Sequence, residues 1–310
     1  MQTNEIKISV IVPVYKEHDR FIACLESLKN QKTDFRYEIL LECFGSDESM
    51  IQIAKDYERE NPNLFFVYSY EKNLGIASSR NAGILQARGE YVTFVDSDDE
   101  IKENFLSFLM KEAKKHPKAE MLSTSYYLYG ALKWLEPFRS HYHGEGKKVL
   151  YRFFNHLNLK YQVYCWARAY KTEFLRTNQI RFCSDMKIYE DWPFFAEVLY
   201  HAKEVRFYRK QLYHYVQRKG SAVHQKRDAL YYNLKAIEHI RNDLYQKDRT
   251  FAEKVFGKVS LQMKMHMLMT SYISKELYGC STRSLYQKAK KNLASIYQGE
   301  KMKYGPKKIS

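Results

Sequence analysis

Along the first hundred residues the apolar positions switch repeatedly between two spacings. Ile8 to Val14 is a short, nearly continuous apolar run stopped at Pro13-Val14-Tyr15-Lys16-Glu17, the signature of a buried strand. Phe21, Ile22, Leu25 and Leu28 then recur at helical spacing. The alternation continues with a strand over Tyr37 to Leu41, a helix over Met50 to Glu60, a strand over Leu64 to Tyr70, an amphipathic helix near Ala77 to Ala87, and a strand over Gly89 to Val95. Strands alternating with helices predict an α/β fold with a doubly wound, mainly parallel sheet. Residues 1–100 therefore read as a nucleotide-binding half.

The last of these strands ends abruptly in Asp96-Ser97-Asp98-Asp99-Glu100. Carboxylates packed that densely repel one another and need a cation, hydroxyl donors or full solvation. Two readings stand at this point. In one, the C-terminal end of a rigid strand presents Asp96 and Asp98 to a divalent metal and a polar ligand, where ligands of open α/β sheets bind. In the other, Ser97 and Glu100 form a capping box for a helix starting near Ile101. No glycine-rich dinucleotide fingerprint or phosphate-cradling loop follows the first strand, so any phosphates must be held another way. A metal on Asp98 would do so, because Mg²⁺ or Mn²⁺ commonly bridges one or two carboxylates and a diphosphate.

Composition narrows the class. A chain of 310 residues, 45% hydrophobic, buries a sizeable core and has room for one large domain and an appendage. Its five cysteines, Cys24, Cys43, Cys165, Cys183 and Cys280, are odd in number and unclustered, which argues against a disulfide framework or zinc site and fits a reducing cytosol. There is no secretory pattern at the N-terminus, and no apolar run approaches the roughly 20 residues of a spanning helix, so a soluble or peripheral protein is expected. The net charge of +15 is uneven: from Lys226 to Ser310 there are 18 Lys and Arg against 7 Asp and Glu. Such a surface suits nucleic acid, anionic headgroups or acidic glycans, or is simply a solvated helix face. Helices are expected over Asp228 to Lys247, Thr250 to Leu277 and Thr282 to Gln298, with Leu285, Ala289, Leu293 and Ile296 on one stripe and Met263, Met265, Met267 and Met269 filling a core.

Several segments share an order with one known family. Ser9 to Tyr15, Asn73 to Gly83 ending in Ser79-Arg80-Asn81-Ala82-Gly83, Gly89-Glu90-Tyr91, Phe94 to Asp99, Trp166 to Lys171, Ile180-Arg181-Phe182, Glu190-Asp191 and Tyr213 to Ser221 together resemble the family 2 glycosyltransferases. The resemblance spans roughly Lys7 to Ser221. It implies a GT-A fold, an inverting mechanism and a nucleotide-diphosphate sugar donor, most often uridine-linked. The expected organisation is a catalytic domain over 1–225, with an acceptor-binding half over 101–225, and a basic helical extension over 226–310.

The same resemblance assigns positions. Pro13, Val14 and Tyr15, with Glu17 nearby, match the turn that holds the nucleoside. Asp96, with Ser97 beside it, matches the first acid of the Asp-X-Asp motif at the ribose, Asp98 the second, which ligates Mn²⁺ or Mg²⁺, and Arg80 a position near the diphosphate. Asp191 matches the base that takes the proton of the acceptor hydroxyl, and Glu190 would orient the acceptor; the alternative is that both cap the helix entered at Pro193. One segment departs from the family's Val-Asp-Asp-Gly-Ser-Thr-Asp: here Leu41-Glu42-Cys43-Phe44-Gly45-Ser46-Asp47 leaves Glu42 to supply the carboxylate for the base. Trp134, Trp166 and Trp192 are candidates for the acceptor sugar, each weighed against an ordinary core role. His224 is a candidate further ligand for metal or phosphate.

The expected activity is metal-dependent hexosyl or N-acetylhexosaminyl transfer to a hydroxyl of a glycan, glycolipid or glycoprotein acceptor, one sugar per encounter, in surface polysaccharide or glycan biosynthesis. The expected place is the cytoplasm, at the inner face of an anionic membrane if the basic tail serves that surface, and no nucleic acid is expected as partner. A catalytically weakened sugar-nucleotide or glycan binding module is the alternative, prompted by the altered Glu42 to Asp47 segment.

Overall fold

The structure is a computed structural model and describes residues 5–16, 19–129, 142–155, 163–216 and 229–256. The first half is built from β1 (Ile6–Val14), α1 (Phe21–Lys29), β2 (Arg36–Phe44), α2 (Glu48–Glu60), β3 (Phe65–Tyr70), α3 (Ile76–Gln86) and β4 (Tyr91–Phe94). The second half adds β5 (Glu100–Ile101), α4 (Phe105–Lys115), β6 (Met121–Tyr129), β7 (Tyr142–Gly144), α5 (Gly146–Asn155), β8 (Arg168–Lys171), α6 (Thr172–Thr177), α7 (Asp191–His201) and β9 (Val205–Val216). One sheet joins both halves in the order β3-β2-β1-β4-β8-β6-β9-β5, with β7 paired to β9.

Within the first half every pairing is parallel. Strands β1 and β2 are buried along nearly their whole length, as the inner strands of a parallel sheet are, although β2 carries Glu38 and Glu42 within its apolar stretch. The register sets Pro13 beside Glu42 and Val14 beside Cys43, so the ends of β1 and β2 lie level. Two glycines allow the layers to close. A Cβ on Gly83 would meet the Ile11 side chain at 2.4 Å, and one on Gly89 would meet the Ser9 backbone nitrogen at 2.6 Å. Small residues at these two points let α3 and the entry to β4 lie directly against β1.

Beyond β4 the sheet is mixed: β8 runs antiparallel to both β4 and β6, while β6 and β9 are parallel. This half also corrects one expectation. Ile101 starts no helix; Glu100 and Ile101 pair with His214 and Tyr213 of β9, Glu100 forms an ion pair with Arg20, and α4 begins only at Phe105. The Ser97 to Glu100 capping box is therefore not formed, because a long-range strand pairing takes the segment that local spacing offered to a helix.

The chain continues as α8 (Ala229–Lys247) and α9 (Arg249–Phe256). Their Ile237, Ile240, Leu244, Ala252, Val255 and Phe256 belong to the same hydrophobic core as the sheet strands, so the start of the basic region packs onto the body. The helix expected over Thr250 to Leu277 is described as far as Phe256; the remainder, with the methionine series and the helix over Thr282 to Gln298, lies outside the described residues. Among the described residues no helix is long and apolar enough to cross a membrane.

Candidate functional site

The carboxyl ends of β1, β2 and β4 open on one edge of the sheet. Pro13 and Val14 are buried there, and Tyr15 follows 43% exposed. Ser46 donates its hydroxyl to the Val14 carbonyl at 2.7 Å, and the Asp47 N–H donates to the Tyr15 carbonyl at 3.0 Å. The turn after β2 thus fixes the turn after β1, with Gly45 at φ +58°, the left-handed region that glycine enters at least cost. An exposed aromatic ring on a fixed backbone is a platform on which a nucleoside can stack.

The acidic run after β4 is sorted rather than diffuse. Asp96 Oδ1 accepts from Arg80 Nη2 at 2.7 Å. Asp99 is buried and accepts from the Tyr213 hydroxyl at 2.7 Å and the Val216 N–H at 2.8 Å. The same Tyr213 oxygen accepts the Asp96 N–H at 3.2 Å, so one phenol ties two positions of the run to β9. Burial, together with Asp96 and Asp98, holds the Asp99 carboxyl well above the usual range. Ser97 and Asp98 are partly exposed between them.

These carboxylates supply only hard oxygen donors. Among the described residues no three His, Cys, Asp and Glu side chains converge as a ready metal cage. That donor set fits an ion of the Mg²⁺ or Mn²⁺ kind, which takes one or two carboxylates and completes its shell with phosphate and water. Asp98 is the residue that would hold it.

Helix α7 brings the second set of acids. Tyr189 stands at φ +62°, an uncommon conformation for a bulky residue, and the turn it makes delivers Glu190 and Asp191 to the helix start. Glu190 occupies the N-cap position with helical dihedrals, and no side-chain capping bond forms there. Its carboxylate instead accepts from Arg80 Nη1 at 2.6 Å. The capping alternative for Glu190 therefore does not describe what its side chain does. Asp191 is half-buried; burial and Glu190 push its carboxyl well above the ordinary range, with Arg80 and Arg168 acting in the opposite direction. A carboxylate of raised basicity is suited to proton abstraction near neutral pH.

Arg80 is the centre of this arrangement, 3% exposed and bridging Asp96 to Glu190, which stands 110 residues beyond Arg80 in the chain. The Ser79 to Gly83 segment explains how it is held. Asn81 clamps Phe182 through both its amide atoms, at 2.9 Å to the carbonyl and 2.8 Å from the N–H. The Phe182 ring lies 5.3 Å from the Arg80 guanidinium and stacks on Phe194 of α7 at 3.9 Å.

Other positions fall differently. Trp166 is 4% exposed and lies parallel to Tyr164 at 4.5 Å and Tyr213 at 4.6 Å, a member of the aromatic wall behind the acids. Trp192 is partly exposed, edge-on to Phe153 and Tyr189. Glu42 is fully buried with both carboxylate oxygens unpartnered, and burial pushes it up to about 8. Cys43, at the position of the missing acid, is buried too, its thiol pushed up to about 12. Glu17, Trp134 and His224 lie outside the described residues. Sequence reasoning gave no role to Tyr213, Asn81 or Arg168, the last buried with its guanidinium 4.4 Å from the Phe195 ring. Tyr213 and Arg168 fall inside segments that carried the family resemblance, but nothing local marks a tyrosine on β9 as a partner of residues 96 and 99.

An α/β sheet with a parallel first half, an acidic run after its fourth strand and a second acid pair at the start of α7 is the arrangement that the family resemblance implied. The chain belongs to glycosyl transferase family 2, whose family model matches residues 9–176. It is 27% identical over 227 residues to glycosyltransferase GlyA of Streptococcus pneumoniae, covering 69% of this chain and 31% of that one. It is also 27% identical over 235 residues to cholesterol galactosyltransferase of Borreliella burgdorferi, covering 70% of this chain and 62% of the relative. The chain thus spans under two thirds of the length of these curated relatives. Among solved structures, S. aureus TarS 1-349 in complex with UDP-GlcNAc superposes with a TM-score of 0.70 at 21% identity, over 91% of this chain and 78% of TarS 1-349.

Proposed function

We propose that this chain is a metal-dependent, inverting glycosyltransferase that moves a sugar from a nucleotide-diphosphate donor, uridine-linked, to a hydroxyl of a glycan, glycolipid or glycoprotein acceptor. The observation that carries the reading is the meeting, through Arg80, of the acidic run after β4 and the Glu190-Asp191 pair at the start of α7. Arg80 thereby joins the acids this reading assigns to the donor with those it assigns to the acceptor.

In this reading Pro13, Val14, Tyr15 and Glu17 hold the nucleoside, and Asp96 with Ser97 contacts the ribose. The unpartnered carboxyl of Glu42 supports its assignment to the base, since a buried acceptor without a donor is costly until a ligand N–H satisfies it. Asp98 holds the divalent ion, Mn²⁺ or Mg²⁺, which when bound neutralises charge on the diphosphate. Asp191 accepts the proton of the acceptor hydroxyl as that oxygen attacks the anomeric carbon from the face opposite the leaving group. Glu190 and the partly exposed Trp192 border the acceptor, while Trp166, buried against Tyr164 and Tyr213, backs the site. The UDP-GlcNAc complex of TarS supports a uridine donor, and the galactosyltransferase relative supports hexosyl transfer.

The test is a panel of nucleotide sugars, scored by thermal stabilisation and by metal-dependent release of nucleotide diphosphate. A uridine-linked sugar is expected to stabilise and to turn over. A panel with stabilisation and no turnover, whatever the acceptor and metal, would favour the binding-module alternative. The basic region after Lys226 is read as a contact for an anionic membrane, which predicts vesicle binding that falls steeply with salt. Equal binding to neutral vesicles would remove that contact.

A further inference from the structure

Resting on that reading of the site, we infer that Arg80 is a positioning residue, which sets the Asp191 carboxylate through Glu190 and locks α7 to the end of β4, rather than a ligand of the donor diphosphate.

The guanidinium has no idle fork to offer a phosphate. Each terminal nitrogen already donates to a carboxylate, at 2.6 and 2.7 Å, in charge-assisted bonds among the strongest that proteins make. Of the three N–H groups left over, the one on Nε is buried without a partner, and the whole side chain is only 3% exposed, so little of the fork opens toward a ligand. A phosphate oxygen would have to displace Asp96 or Glu190 and leave that acid without its counter-charge, at a cost a buried ion pair does not readily bear.

The same contacts bear on α7. The residue before Glu190 is Tyr189 at φ +62°, and such a backbone persists where surrounding contacts over-determine it. Arg80 supplies one such contact on Glu190 itself, while Phe182 fixes both partners: clamped by Asn81 of α3 and stacked on Phe194 of α7. Asp191 is the next residue. Because Arg80 grips Glu190, a shift of its guanidinium rotates the turn that aims the base. A base misplaced by about 1 Å can lose on the order of 10²-fold in rate.

The test compares Arg80→Lys, Glu190→Ala, their combination and Glu190→Gln in the full chain, measuring kcat, donor KM and UDP affinity. Lysine keeps the charge but is a single point that cannot serve two acids. Arg80→Lys and Glu190→Ala are each expected to lower kcat by about tenfold or more while UDP affinity and donor KM stay within about threefold. Because both act through one linkage, the double variant is expected to be no worse than the poorer single. Glu190→Gln keeps an acceptor oxygen for Arg80 and is expected to lose less of kcat than Glu190→Ala. If Arg80→Lys instead raises donor KM and the UDP dissociation constant in step, with kcat intact, Arg80 is a diphosphate ligand and the inference is overturned. Additive losses in the double variant, or collapse of kcat in a folded Glu190→Gln, would overturn it as well. Asp191→Asn separates the two levels: wild-type transfer in that variant removes the base assignment itself, whereas an inactive Asp191→Asn beside a wild-type kcat in Arg80→Lys removes only the positioning role.

Discussion

The two halves of the sheet build one site by different means. From Ile6 to Phe94 the four strands pair with one another in parallel, and the site residues stand where the strands end. From Glu100 to Val216 the pairings are mixed, and residues reach the site only through contacts between distant parts of the chain, such as Arg80 with Glu190 or Asp99 with Val216. Where topology itself delivers a residue, its local sequence is enough to find it. Where tertiary contact delivers it, local sequence can name the residue but not the contact.

The largest effect is expected on the topological side. Asp98→Ala removes the carboxylate assigned to the metal without touching the sheet, so transfer and metal-assisted donor binding should be abolished while the melting temperature stays near wild type. Excess chelator should reproduce this in wild type. Full activity under chelator would mean that the acids after β4 serve another purpose and that the likeness of the two halves as partners in catalysis is mistaken.

Next comes the tertiary side. Asp191→Asn keeps size and most hydrogen bonding but cannot take a proton, so transfer should fall by about 10²-fold or more with UDP affinity preserved. A pH profile sharpens the assignment. The active form is the carboxylate, so kcat rises with pH through the Asp191 pKa. Since burial and Glu190 raise that pKa, the acidic limb should stand above the ordinary aspartate range of about 4. An acidic limb at ordinary aspartate values, or loss of donor affinity in proportion to activity, would move the base elsewhere.

The sequence made the first half legible because period and strand-end chemistry coincide there: β1 to β4, the turn at Pro13 to Tyr15 and the acidic run were all placed by pattern. The motif Ser79 to Gly83 was visible too, but its physics was not. Gly83 is small because α3 touches Ile11, Asn81 clamps a backbone 101 residues away, and Arg80 faces two acids. Ile101 was misread for a related reason, since a two-residue strand on β9 leaves no periodic trace. The role of Tyr213 was hidden. On β9 it reads as one more strand aromatic, and only the fold sets its hydroxyl between the Asp96 N–H and Asp99.

Tyr213→Phe is accordingly the sharpest probe of tertiary delivery. The ring remains, so its stacking on Trp166 and its edge contact with Phe105 persist, while two hydrogen bonds to the acidic run are lost. Leaving the Asp96 N–H and Asp99 short of partners should cost about 1–3 kcal/mol of stability. A loss of about tenfold in kcat/KM is expected as the run loosens, on the scale of misplacement costs at active sites. Unchanged kinetics in a destabilised protein would show that the run holds its shape without β9.

The smallest effect tests whether a topologically delivered residue always serves the ligand. Glu42 sits level with Pro13 at the end of β1, yet it is fully buried, unpartnered and pushed up to about 8. An acid with a raised folded pKa holds its proton in the native state after the unfolded chain has released it. Its favourable contribution is intact below the unfolded glutamate pKa of about 4.3, declines as pH rises, and is gone above about 8. Glu42→Gln removes that decline, so the variant should match wild type in melting temperature at pH 5 and exceed it by several degrees at pH 8. UDP affinity measured on the same variant addresses the assignment to the base: it should fall if a donor N–H supplies the missing partner. A variant stabilised at pH 8 with UDP affinity unchanged would leave Glu42 as an internal acid of the sheet, and the parallel half would then contain one strand-end residue that topology delivers to the core instead of the ligand.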